Sequence, residues 1–113
     1  AVWGNNDGDR FKLTQIAAQF PTIKLYGEYI GDEDCLLEID GVKIGVSHYH
    51  FYAKTMIKTG WYDLVCFGHS HKSLKQKFGN SLLINPGEVA GIFGPATYAI
   101  YDTQLRGSEI ITL

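Results

Sequence analysis

The run "DLVCFGHSHK", residues 63–72, decides the fold. Its first half, Leu64-Val65-Cys66-Phe67, is short and unbroken in its apolarity. That is the pattern of a strand buried on both faces, not of a strand with one wet face. Its second half sets His69 and His71 one residue apart where the strand should end. The chain has four histidines, and the other two repeat the spacing. His48 and His50 stand in "GVSHYHF", again after an apolar run. Open α/β sheets bind their ligands at the carboxyl ends of such strands.

The flanking segments fill in the architecture. "CLLEIDGVKIGVSH", residues 35–48, holds two β-rich runs around Asp40-Gly41, a dipeptide suited to a two-residue type I′ turn. "FYAKTMIKTG", 51–60, predicts a helix with Ala53, Met56 and Ile57 on one face and Gly60 as its stop. "LKQKFGNSLLINPG", 74–87, predicts a hairpin turning at Gly79-Asn80 and closing in the turn signal Asn85-Pro86-Gly87. "TYAIYDT" and "SEIITL" predict a last hairpin around Arg106-Gly107. Upstream, Ala1-Val2-Trp3 reads as the tail of a strand, followed by the turn-forming loop 4–9. "RFKLTQIAAQF", 10–20, is a helix candidate with Phe11, Ile16 and Phe20 at roughly helical spacing, Asp9 as N-cap and Pro21 as stop. "TIKLYGEYI", 22–30, is a short strand candidate broken at Gly27. Two helices, doubly buried strands and meander-like hairpins favour an α/β sandwich over an all-β barrel.

At 113 residues the chain suits one domain. A net charge of −2 without any Lys/Arg cluster leaves no electrostatic footprint for nucleic acid. No apolar run reaches the length of a membrane span, and no secretory signal is visible. Cys35 and Cys66 sit within strand-like runs and read as small core residues of a protein in the reducing cytoplasm, although a disulfide between them stays open.

In an extended chain, residues two apart point to the same side, with Cβ atoms about 6–7 Å apart. That distance is awkward for two rings on one ion and comfortable for two ions about 3.5–4 Å apart. A lone loop histidine is most often exposed or hydrogen-bonded in a core. Four histidines in two strand-end pairs shift the balance toward metal. No zinc finger fits, because Cys66-x-x-His69 has no second half and Cys35 stands alone. "GNND" at 4–7 adds oxygen ligands at Asn5 and Asp7, although such a stretch in isolation is usually only a turn. Together these make a mixed nitrogen/oxygen site suited to Mn, Fe, Ni or Zn.

These motifs, in this order, resemble the calcineurin-like metallophosphoesterases, and within them the small prokaryotic phosphodiesterase branch. The resemblance rests on "GNND" (4–7), "SHYH" (47–50), "GHSH" (68–71) and "INPGEVAG" (84–91) followed by "PATYAIYD". It implies a four-layer α/β/β/α sandwich and two divalent transition-metal ions that activate a water for attack on a small phosphate ester or diester. It implies that Asn5, His48 and His69 ligate the second metal and His71 the first. Asp7 and His50 would serve catalysis beside the phosphate or by orienting ligands, and Asn6 and His50 would contact substrate. Asn-Pro-Gly would shape a turn without chemistry. The competing implication is a non-catalytic scaffold on the same fold, as in the retromer subunit that resembles this family; retention of Asn5, His48, His69 and His71 favours the enzyme.

Two departures qualify the match. Asn6 stands where the wider family often has a leaving-group acid, and an amide cannot fill that role. The substrate would then need a good leaving group, or His50 would be a substitute acid. The family's Asp-x-His and Gly-Asp motifs are absent; Gly8-Asp9 and Gly31-Asp32 fall in the wrong order. The chain therefore resembles a C-terminal part, residues 1–113 being a single partial domain incomplete at its N-terminal side. By itself it is expected to hold one ion weakly, to be inactive, and to expose a sheet edge and apolar surface. The missing segment or self-association into a homo-oligomer would cover that surface. "VAGIFGPA" should add exposed apolar residues near the site.

Overall fold

The computed structural model describes residues 1–27, 29–30 and 37–113. Its elements are α1 (Arg10–Ala17), β1 (Tyr29–Ile30), β2 (Leu37–Ile39), β3 (Val42–Ser47), α2 (His50–Lys58), β4 (Leu64–Phe67), β5 (Leu74–Phe78), β6 (Ser81–Asn85), β7 (Thr97–Asp102) and β8 (Gly107–Thr112).

The apolar run that became β4 lies between β3 and β6, parallel to both. β5 closes one edge antiparallel to β6, while β1 and β2 both pair antiparallel with β3 on the other. β7 and β8 form a separate hairpin. Alternation along the strands divides the core in two. Val65, Phe67 and Leu83 point to one face, where Ala53 and Ile57 of α2 cover them. Leu64, Leu82 and Ile84 point to the other with Val42 and Ile44, and Ala99 and Tyr101 of β7 pack there. Helix, sheet and hairpin thus stack in the α/β/β order of the expected sandwich. Burying a side chain such as Leu83 contributes about 1.5–3 kcal/mol.

The turns obey local chemistry. Asp40 and Gly41 both have positive φ (51° and 72°), as a type I′ turn requires. Gly60, at φ 74°, follows α2 as its left-handed terminator. Asp63 fastens the end of the sheet remote from the histidines. One carboxylate oxygen accepts the Lys43 N–H (2.8 Å) and the other an Arg106 guanidinium N–H (2.9 Å).

The N-terminal region departs from expectation. Asp9 caps α1 by accepting the Lys12 N–H at 2.9 Å, yet the helix ends at Ala17, before Pro21. It buries only Ala17, and Phe11, Ile16 and Phe20 stay exposed. Their spacing is helical, but among the described residues no layer packs over them. Residues 22–27 form no strand; they run beside residues 1–3, with the Tyr26 N–H donating to Ala1 O and the Trp3 N–H to Gly27 O. Cys35 and Gly31-Asp32 lie outside the described residues, and Cys66 is a free, half-buried thiol that burial pushes up to about 11.

Candidate metal centre

Parallel strands β3 and β4 end side by side, Ser47 opposite Phe67, and the chain then delivers its histidines. The Gly68 N–H donates to His48 O at 3.1 Å, extending the pairing past the strands. Beyond this point the two-residue alternation fails in both pairs. Tyr49 is the N-cap of α2 and His50 its first residue, so the chain turns away from the sheet after His48. His69 and His71 both adopt left-handed backbone, φ 66° and 58°. The expectation that each pair projects from one side of an extended strand is therefore corrected. A helix start breaks the first pair and left-handed turns break the second.

His48 and His69, one from each pair, meet instead. His48 Nε2 lies 3.1 Å from His69 Nδ1, and Asn5 Oδ1 stands 2.6 Å from the first and 3.0 Å from the second. No placement of protons satisfies all three contacts. With both nitrogens protonated, two N–H groups face each other. With one protonated, a lone pair faces the amide oxygen, which only accepts. The triangle makes sense as three lone pairs aimed at one point. Donors at metal–ligand distances of about 2.0–2.2 Å that meet near right angles stand about 3.0 Å apart. Burial, foremost, together with the His69 and His71 rings, holds His48 below the usual imidazole value against an upward pull from Asp7. A neutral imidazole is the ligating form. Among the described residues, no three or more His, Cys, Asp or Glu side chains converge as a metal site, so the cluster depends on Asn5 as its third donor.

The loop bearing Asn5 is shaped by its neighbours. The Gly4 N–H donates to Asp7 Oδ2, and a side chain at Gly4 would sit 3.1 Å from His48 Cε1. Asp7 thus holds the loop. Asn6 lines an open cleft of about 440 Å³ with Asn5, His69, His71, Lys72 and Phe93. His50 stands apart from the triangle: its ring stacks on Phe67, centroids 4.8 Å apart. Among the described residues it has no hydrogen bond to the cluster, so its expected catalytic and substrate-contacting roles rest on no contact seen here.

His71 lies outside the triangle. Its Nδ1 lies 3.0 Å from Glu88 Oε2, and the edge of its ring meets Phe93. Glu88 is buried, which pushes its carboxyl up. Hydrogen bonds from His71 and from the Phe93, Gly94 and Ile92 N–H groups outweigh that, and the carboxyl ends below its usual value. Sequence reasoning passed over Glu88, although a lone acid inside "NPGEVAGIFGPA" was a signal. It also read Asn85 only as a turn former. Asn85 is fully buried; its amide donates to Gly68 O (3.1 Å) and Ser70 Oγ (3.0 Å) and its Oδ1 accepts the Gly87 N–H, tying the histidine loop to the end of β6. The shaping role expected of Asn-Pro-Gly therefore extends to the loop that carries His69 and His71. Val89, Ile92 and Phe93 are exposed, as the apolar stretch led one to expect, and Phe93 lines the cleft.

The fold and this cluster define a class. The model of the calcineurin-like phosphoesterase superfamily domain matches residues 1–106, and the chain belongs to that superfamily, a class of phosphate-ester hydrolases. Within it, the chain is 34% identical over 116 aligned residues to the phosphodiesterase MJ0936 of Methanocaldococcus jannaschii, covering all of this chain and 67% of that protein. A solved structure described as a novel archaeal phosphodiesterase superposes with a TM-score of 0.84 at 32% identity, over 100% of this chain and 67% of that one. Vps29 of Entamoeba histolytica complexed with Zn2+ superposes at 0.52 with 18% identity, over 80% of this chain and 63% of that one; this likeness concerns the fold alone.

Proposed function

We propose that the protein is a metal-dependent phosphodiesterase acting on small phosphate diesters at a two-metal centre. The observation that carries this is the triangle of Asn5 Oδ1, His48 Nε2 and His69 Nδ1, spaced 2.6–3.1 Å, a donor set that satisfies an ion better than it satisfies itself. The phosphodiesterase relative and the solved archaeal phosphodiesterase, at 34% and 32% identity, support the choice of diester. When bound, divalent transition ions such as Mn, Fe, Ni or Zn supply an activated water and neutralise charge on the phosphoryl oxygens.

The chain's own residues divide the remaining work. Asn5, His48 and His69 would hold one ion, and His71, through its free Nε2, would serve a second. Asp7 keeps the Asn5 loop against His48 through the Gly4 N–H. Asn6 faces the cleft where substrate would lie, as a hydrogen-bonding group and not as an acid. His50 on its helix start would protonate a leaving group only by turning off Phe67, so substrates with good leaving groups are favoured. Residues 1–113 assayed alone should hold one ion and turn over little.

The test is hydrolysis of an aryl phosphodiester by the intact protein with Mn2+ or Ni2+ added, beside His69→Ala. Turnover that the substitution abolishes while folding persists supports the assignment. An intact, folded protein that is inactive with either ion would sink it and turn attention to a scaffolding role.

A further inference from the structure

Glu88 is a buried carboxylate in the loop after β6, just past Pro86-Gly87, its side chain only 6% exposed. Burying a carboxylate is unfavourable unless its oxygens are matched. Oε1 is matched by the loop itself: it accepts the Phe93 N–H at 2.5 Å and the Gly94 N–H at 2.7 Å. The main chain is pinned too, because the Thr97 N–H donates to Glu88 O at 2.8 Å and Glu88 bridges to Ala96. Oε2 is therefore held in place before it meets any side chain. The side-chain partner it meets is His71 Nδ1, at 3.0 Å. A carboxylate only accepts, so Nδ1 carries the proton, and in the neutral ring Nε2 keeps its lone pair. The two nitrogens lie on different edges of the ring. Phe93 braces the ring edge-on, with centroids 4.9 Å apart.

We propose that Glu88 is the positioning residue of His71, fixing its Nδ1–H tautomer and ring plane so that the Nε2 lone pair faces the cleft shared with Asn5 and His69. The assignment rests on the two-metal reading above only for what Nε2 would bind. The tautomer itself is a property of the metal-free protein. Carboxylate partners of this kind orient ligating histidines, and their loss commonly weakens metal binding about 10–100-fold. The same carboxylate fastens the loop of Ile92, Phe93 and Gly94 beside the cleft, so ligand geometry and cleft wall share one anchor.

Glu88→Gln gives a directional test. The Phe93 and Gly94 N–H groups require an oxygen on their side, which leaves the amide NH2 facing His71. Nδ1 must then accept and the proton must move to Nε2. Ring 15N shifts of the metal-free intact protein, recorded above the imidazole titration range, should report Nδ1–H in the parent and Nε2–H in Glu88→Gln. Glu88→Asp, one methylene shorter, should lose the preference without reversing it, and it decides the matter if the Gln variant loosens the loop. An Nδ1–H tautomer persisting in both variants would overturn the proposal. Titration with Mn2+ is a separate readout. A parent that binds two ions should lose one about 10–100-fold in Glu88→Gln. A parent that takes up no Mn2+ would sink the two-metal reading and leave the tautomer result standing.

Discussion

Helix α2 buries Ala53 and Ile57 against three parallel strands, and Leu83 and Val65 beneath it are fully buried. Helix α1 buries Ala17 and leaves Phe11, Leu13 and Ile16 exposed. The triangle straddles these two regions. His48 and His69 leave the ends of β3 and β4, anchored by a continuous core, whereas Asn5 sits on a loop held by Asp7 and followed by the weakly buried helix. Two thirds of the donor set is therefore pre-organised by packing and one third by local hydrogen bonds alone. A site of this kind should tolerate losses in its N-terminal part unevenly, with binding failing before folding does.

The largest effect should come from the packed side of the site. His69→Ala should abolish hydrolysis while the unfolding transition stays near the parent's, because the ring is exposed and its removal leaves the core intact. Asn5→Ala should also weaken metal binding; if it did so no more than a surface substitution, the triangle would not be a ligand set. In stability, Leu83→Ala should cost about 2–5 kcal/mol by denaturant titration. Ile16→Ala should cost under about 1 kcal/mol, in keeping with its exposure. Equal costs at the two positions would erase the contrast between the regions.

Gly87→Ala should cost roughly 1–3 kcal/mol, since φ is 87° and the new Cβ would lie 2.1 Å from Thr97 Oγ1. It should also disturb the Asn85–Gly87 bond that ties the histidine loop. A smaller effect is expected with pH. His48 in the folded chain titrates below its ordinary 6.5, mainly through burial. Below that pH the unfolded chain binds a proton that the folded chain resists. Stability is thus full above about 6.5 and is lost as pH falls from there. His48→Gln should flatten this part of the profile; a parent whose stability rises on acidification through the same range would contradict the sign. Least of all, Cys66, with its thiol at about 11, should react slowly with iodoacetamide at pH 8 compared with a free thiol near 8.5.

The packed region was legible because its signals are local and repeated. Asp40-Gly41 turned as its residues demand, the apolar run 64–67 became the central strand, and Gly60 stopped α2. The N-terminal region was legible only in part. Asp9 announced its helix, but helical spacing says nothing of whether a partner layer exists, so Phe11 and Ile16 are exposed despite their pattern. The site was readable in its membership and not in its geometry. Asn5, His48 and His69 were identified from the motifs and do converge. The same-side geometry expected of each histidine pair does not hold, because a helix start and two left-handed residues interrupt the strand period, and nothing in residue type forces a histidine to positive φ. Glu88 was missed because it acts through His71 from seventeen residues away.

The central claim is that Asn5, His48 and His69 form one ligand set. X-ray absorption of the intact protein loaded with Zn2+ or Mn2+ tests it most directly. The expected shell combines imidazole nitrogens with oxygen at about 2.0–2.2 Å, and its imidazole contribution falls in His48→Ala and falls further in His48→Ala with His69→Ala. A shell without imidazole scattering, or one unchanged by these substitutions, would contradict it.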